Sequence, residues 1–147
     1  MSCCEIINNL WLGDIRCAKN KVFFDENNIE IVFNCSKDIP FYSNYTKNIR
    51  IKVNDNLEKK EINTFYLYLD KATKLIHESL LDSQAVLIHC YAGKQRSASL
   101  IAAYLMRYGH LSRTDAVSTI QSKRLVAFTP GINFKDALTQ FEEDLLN

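Results

Sequence analysis

The chain has 147 residues, 47% of them hydrophobic and 24% charged, and a formal net charge of +1. That length and composition suit one globular domain, residues 1–147, with a continuous core. A charge so near zero excludes a sequence-wide basic field for nucleic acid or anionic membrane, so any anion site must be local.

The first stretch, "EIINNLWLG", reads as one or two short strands ending at Gly13. "DIRCAKNKVFFDENN" has helical spacing in its first part, with Ile15, Ala18, Val22 and Phe23 on one side. "IEIVFNC" is β-branched and apolar with little alternation, as a buried parallel strand is. "SKDIPFYSNYTKN" carries turn chemistry, and "IRIKV" after it is a short strand. From Ile62 to Leu81 the positions Phe65, Leu69, Ala72, Leu75, Ile76 and Leu80 recur at three and four, which predicts an amphipathic helix of about five turns. "AVLIH" is the next buried strand. Ser97 to Tyr108 reads as an apolar helix stopped by Gly109, "SRTDAVSTIQSKR" as a helix capped by its first Ser, and "NFKDALTQFEEDLL" as the last helix. Strands alternate with helices and helices alone finish the chain. The predicted class is α/β, a central mainly parallel sheet of about five strands flanked by helices.

The five cysteines, Cys3, Cys4, Cys17, Cys35 and Cys90, are odd in number and form no CxxC pair. "MSCCEIINN" lacks the basic start and apolar core of a secretory signal, and "SLIAAYLM" is too short to span a bilayer. These features predict a cytoplasmic protein with reduced thiols. His77, His89 and His110 do not stand at ligand spacing with a cysteine pair, so neither a metal nor another cofactor is expected.

Chemistry concentrates in "LIHCYAGKQRS", Leu87 to Ser97, where a strand passes through a short loop into a helix. Backbone N–H groups at such a helix start make an anion cradle, and Gly93 in mid-loop permits the angles that let them converge. Tyr91, Ala92, Gly93, Lys94, Gln95 and Arg96 form this predicted phosphate-binding loop, with Arg96 able to clamp the anion through two parallel hydrogen bonds. A cysteine beside a helix N-terminus and an arginine ionises readily, which suits Cys90 to attack a bound phosphorus. His89 is expected to support the loop and tune the sulfur rather than act as a base. Ser97 is placed to donate to the sulfur as it leaves.

His89-Cys90-x5-Arg96-Ser97 resembles the signature of cysteine-based protein phosphatases, and its flanks resemble the small dual-specificity branch. "LWLGD", "IVFNCS", "IKVND", "LIHCYAG", "RSASLIAAYLM" and the "TP" and "FE" segments occur in that family's order across nearly the whole chain. The low-molecular-weight phosphatases place the same motif at the chain's start, so the ordering here excludes them. The resemblance implies a phosphotyrosine-phosphatase-like fold and hydrolysis of phosphoprotein monoesters through a cysteinyl phosphate, without cofactor. Phosphotyrosine leads, with phosphoserine and phosphothreonine beside it, because little sequence precedes Asp55 to build a deep tyrosine-only slot. It also implies a general acid, for which Asp55, 35 residues before Cys90, is the match; Asp38 and Glu58 are rivals.

Other readings stay open. Lys94 is either a solvated loop charge or, as in the phosphoinositide phosphatases that share "AGK", a partner for an extra ring phosphate. An RNA 5′-triphosphatase on the same fold and a non-catalytic phosphate-binding module are further alternatives. No basic stripe suggests a nucleic acid partner. Tyr91 and Gln95 either line the pocket mouth or pack outward. Cys35 is read as a core thiol, with the alternative, taken from some relatives, of a reversible disulfide with Cys90. Cys3, Cys4 and Cys17 are assigned no role, "KNKVFFDENN" and "NLEKKE" are read as solvated faces, and "PGINF" is expected to touch no catalytic group. Some small relatives pair through their N-termini, so both monomer and homodimer stand.

Overall fold

The fold is that of a computed structural model, which describes residues 1–147. The chain opens with β1 (Cys3–Ile7) and β2 (Leu10–Gly13), an antiparallel hairpin whose turn residue Asn9 has φ 68°. Two short helices follow, α1 (Ile15–Ala18) and α2 (Lys21–Glu26), then β3 (Ile29–Asn34) and β4 (Lys47–Arg50). The long α3 (Lys59–Leu81) leads into β5 (Ala85–His89), and α4 (Arg96–Tyr108), α5 (Arg113–Lys123) and α6 (Lys135–Leu146) complete the chain. The sheet order is β1-β2-β5-β3-β4, parallel at every pairing except β1 with β2. This is the expected mainly parallel five-stranded sheet.

β5 is central and buried at all five positions, because helices cover both faces of the sheet. On one face α3 to α6 pack on the larger core, which includes Phe33, Phe65, Leu100 and Phe134. On the other, Phe23 and Phe24 of α2 pack with Cys17, Val32 and Leu87. α4 is buried continuously from Ser97 to Met106, so it runs through the helical layer rather than over it. Its first turn is thereby held fixed behind the loop that follows β5.

The structure departs from the sequence reading in several places. The helix expected after Gly13 is two helices, because Asn20 accepts a hydrogen bond from Phe23 N at 3.0 Å and starts a new one. The break rotates the register: Val22 is exposed and Phe24 is buried. The strand expected at "IRIKV" lies earlier, at Lys47–Arg50, while Ile51 and Val53 continue as buried backbone outside the strand. α3 starts at Lys59, and Glu61 in its first turn is buried rather than part of a solvated face. Gly109 caps α4 with φ −91°, and the left-handed residue is His110 at φ 57°.

The expectation of reduced thiols is corrected as well. Cys3 and Cys17 are joined as a disulfide with their Cα atoms 5.4 Å apart, leaving Cys4, Cys35 and Cys90 free. Pairing in the hairpin sets Cys3 opposite Gly13, and a Cβ on Gly13 would lie 2.8 Å from Cys17 Cβ. The missing side chain lets Cys17 of α1 come down onto Cys3. Cysteine count and the lack of a signal say nothing about which thiols the fold makes neighbours. No helix is long and apolar enough to cross a membrane.

Candidate active site

β5 ends at His89, α4 begins at Arg96, and Cys90 to Gln95 form the loop between them at the carboxyl edge of the sheet. None of the backbone N–H groups from Tyr91 to Gln95 donates to the protein. The carbonyls from Tyr91 to Lys94, in contrast, are all engaged by the surrounding protein. Tyr91 O accepts from Ile15 N at 2.9 Å, and Lys94 O accepts from Phe128 N at 2.8 Å. Ala92 O and Gly93 O accept from Arg124, from Nη2 at 3.0 Å and Nε at 2.8 Å. With the carbonyls pinned to the protein body, the amides are left for a ligand, and a ring of free N–H groups at a helix start is an anion site.

Gly93 is required twice over. Its φ of 65° belongs to the left-handed region, and a Cβ there would stand 2.8 Å from Gly13 O. The loop therefore sits directly on the end of β2.

Cys90 is buried, and its Sγ lies 3.0 Å from Ser97 Oγ in the first turn of α4. Arg96 gives Nη1 to Val53 O at 3.2 Å, while its buried Nε has no partner in the chain. A buried guanidinium donor without a partner, in the same loop as the free amides, suits an anion. His89 is buried, and the one polar contact of its side chain is Nδ1 to Cys90 O at 3.5 Å. Burial, aided by Arg50 and Arg96, pushes its pKa down to about 4 against the opposing effects of the Cys90 contact and Asp14. It is neutral at pH 7, and its ring meets the backbone of the loop. Cys35 N donates to His89 O at 2.8 Å, which sets Cys35 beside Cys90 in the core. Burial first, then the Cys90 sulfur, pushes the Cys35 thiol well above its ordinary value despite Arg96, so it is held protonated.

Tyr91 points outward and is exposed, Lys94 is half-buried without an ion-pair partner, and Gln95 is buried. Gln95 thus packs inward, where Nε2 donates to Gly131 O at 2.7 Å and to Thr129 O at 3.3 Å. Asp55 lies on the exposed stretch after Val53, whose carbonyl Arg96 grips. Its Oδ1 accepts from Asn133 Nδ2 at 2.8 Å. This corrects the expectation that "PGINF" touches no candidate catalytic group. Of the rivals, Asp38 is exposed and its side chain makes no hydrogen bond or ion pair, and Glu58 precedes α3, turned to Lys60 at 3.4 Å.

Several residues that build the site were not legible in the sequence. Arg124 is buried, and besides the two loop carbonyls it reaches Met1 O, with Asp14 3.8 Å from Nη2. Asp14 also caps α1 by accepting from Cys17 N at 3.0 Å. Glu61 accepts from Asn54 N at 2.8 Å and pairs with Lys37 at 3.1 Å; those contacts hold its carboxyl below the usual range. Only the Asp14 cap carries a local signal, an Asp ahead of a helical run. Arg124 in "QSKRLV" looks like any surface basic residue.

Residues 10–144 match the family described as "Dual specificity phosphatase, catalytic domain". The chain is 33% identical over 138 residues to protein 123R of Invertebrate iridescent virus 6, named for a tyrosine phosphatase, covering 94% of this chain and 90% of that one. It is 32% identical over 143 residues to dual specificity protein phosphatase 8 of Mus musculus, covering 96% of this chain but 21% of that longer protein. The crystal structure of human DUSP28 superposes with a TM-score of 0.89 at 24% identity, covering all of this chain and 97% of that one. The chain belongs to the dual specificity phosphatase family and is a cysteine-based protein phosphatase.

Proposed function

We propose that this chain, acting as one catalytic domain, hydrolyses phosphomonoesters of proteins through a cysteinyl-phosphate intermediate formed on Cys90. The observation that carries the reading is the loop itself: it begins at Cys90 and ends at Arg96, its amides from Tyr91 to Gln95 donate to nothing in the chain, and the buried Arg96 Nε has no partner. A phosphate seated there has its equatorial oxygens on the amides and Arg96, which stabilise the charge of the transition state. In the first half-reaction the Cys90 thiolate forms an S–P bond while the ester P–O bond breaks, and Asp55 gives its proton to the departing oxygen. In the second, water attacks phosphorus, Asp55 takes its proton, and the S–P bond breaks. Ser97, 3.0 Å from the sulfur, donates to the thiolate as it leaves. The scheme calls for no metal.

Phosphotyrosine is the leading substrate, with phosphoserine and phosphothreonine accepted because the stretch before Asp55 is short. The second reading, a phosphoinositide substrate, rests on Lys94, which no acidic side chain pairs. The Cys90 nucleophile has to stay reduced, and on that ground we assign the cytosol, with the Cys3–Cys17 disulfide as an exception to the rule of that compartment. The test is turnover of p-nitrophenyl phosphate with and without chelator, by the native chain and by Cys90→Ser. Loss of turnover with retained phosphate binding in the variant, insensitive to chelator, is expected; normal turnover by Cys90→Ser would sink the scheme. A panel of phosphotyrosine and phosphothreonine peptides, inositol lipids and triphosphate-ended RNA then ranks the substrates.

A further inference from the structure

Asp55 belongs to no helix or strand, so its position is set by what grips the stretch around it. Three contacts do so. Arg96 Nη1 donates to Val53 O at 3.2 Å, and Asn54 N donates to Glu61 Oε1 at 2.8 Å. Both act on backbone before Asp55 and leave its side-chain rotations free. The third is the contact from Asn133 Nδ2 to Asp55 Oδ1 at 2.8 Å, and Oδ2 makes no hydrogen bond within the chain. Asn133 alone fixes where the carboxyl points.

Asn133 is itself placed by the phosphate loop. Its backbone N donates to Gln95 Oε1 at 2.9 Å, and the same Gln95 amide donates to Gly131 O at 2.7 Å. Gln95 is buried and directly precedes Arg96. Three hydrogen bonds therefore run from the loop through the Gly131–Asn133 turn to the carboxyl. We infer that Asn133 is a positioning residue for Asp55, and that Gln95 ties it to the phosphate loop so that phosphate cradle and proton donor move as one unit. The inference rests on Asp55 being the general acid. Its physical content is directional: an N–H on Oδ1 leaves the transferable proton to Oδ2, and a carboxyl free to rotate would meet the leaving oxygen in only a fraction of its orientations.

The test compares kcat and KM on two esters, phenyl phosphate, whose leaving group needs a proton, and a difluoro-methylumbelliferyl phosphate, whose leaving group needs little. Asp55→Asn is expected to lose ~10²-fold or more in kcat on the first and far less on the second. Asn133→Ala is expected to lose ~10-fold on phenyl phosphate only, with KM unchanged, since misplacing a group by about 1 Å costs up to ~10². The double variant should be no worse than Asp55→Asn, because Asn133 acts through Asp55. Equal losses on both esters in Asn133→Ala, or additive losses in the double variant, would overturn the inference while leaving the acid assignment standing. Equal losses on both esters in Asp55→Asn would instead overturn the acid assignment, and the inference with it. Asn133 is half-buried on a turn, and a thermal melt within a few degrees of the native chain confirms that the variant is folded.

Discussion

Arg124→Lys isolates the brace behind the phosphate loop. Arg124 offers Nε and Nη2 to the successive carbonyls of Gly93 and Ala92, at 2.8 and 3.0 Å, a fork that an ammonium cannot reproduce. A lysine keeps the positive charge near buried Asp14 but releases at least one of the two carbonyls. One hydrogen bond to a charged group is worth about 1.5–3 kcal/mol. For a domain of this size, where each kcal/mol moves Tm by about 2–4 °C, the melt should fall by about 3–12 °C. A released carbonyl also lets its peptide rotate and turns the neighbouring amide out of the cradle. Anion affinity should then drop by ~10- to ~10²-fold, since about 1.4 kcal/mol is tenfold. The assay pairs a thermal melt with the inhibition constant of inorganic phosphate. A lowered Tm with unchanged phosphate inhibition would show that Arg124 is a packing residue only. No change in either would refute the brace altogether.

Ser97→Ala removes the hydroxyl 3.0 Å from the sulfur and should slow breakdown of the intermediate more than its formation, seen as a burst followed by a reduced steady state. A loss without a burst would place the effect in the first half-reaction. Gly93→Ala meets a positive φ and a 2.8 Å contact with Gly13 O together, so turnover should fall by at least ~10²-fold while far-ultraviolet dichroism stays native. His89 titrates in the folded state at about 4, below its ordinary 6.5, so the unfolded chain binds more protons between those values and stability rises with pH through that window. Roughly 3 kcal/mol present above pH 6.5 should be lost as pH falls to about 4. Urea unfolding of the native chain against His89→Asn measures it, and identical pH slopes would exclude His89 as the source.

The contacts that shape the site come from residues far apart in the chain, and this governs how much of it the sequence reveals. Cys90, Arg96 and Ser97 were legible because they lie within one strand, loop and helix start, where spacing dictates geometry. Asp55 was legible only through family resemblance, since nothing local distinguishes it from Asp38 or Glu58. Val22 was misplaced because a single side-chain cap at Asn20 outweighs helical periodicity over a few residues. Glu61 looked like surface charge because its partners, Lys37 and Asn54 N, are brought to it by the fold.

By itself the sequence pointed to a protein phosphatase and to the class of fold. Apolar strands without alternation require cover on both faces, and a thiol, a glycine and an arginine at a strand-to-helix junction make a phosphate site from purely local geometry. Only the tertiary structure decided what holds that site in shape. Ile15, Phe128 and Arg124 take up the loop's outward carbonyls, Asn133 donates to the Asp55 carboxylate, and Cys17 meets Cys3 across Gly13. A hydrogen bond or a disulfide depends on distances of a few ångströms in space, and residue spacing dictates such distances only within an element. Between elements they follow from sheet order and helix packing.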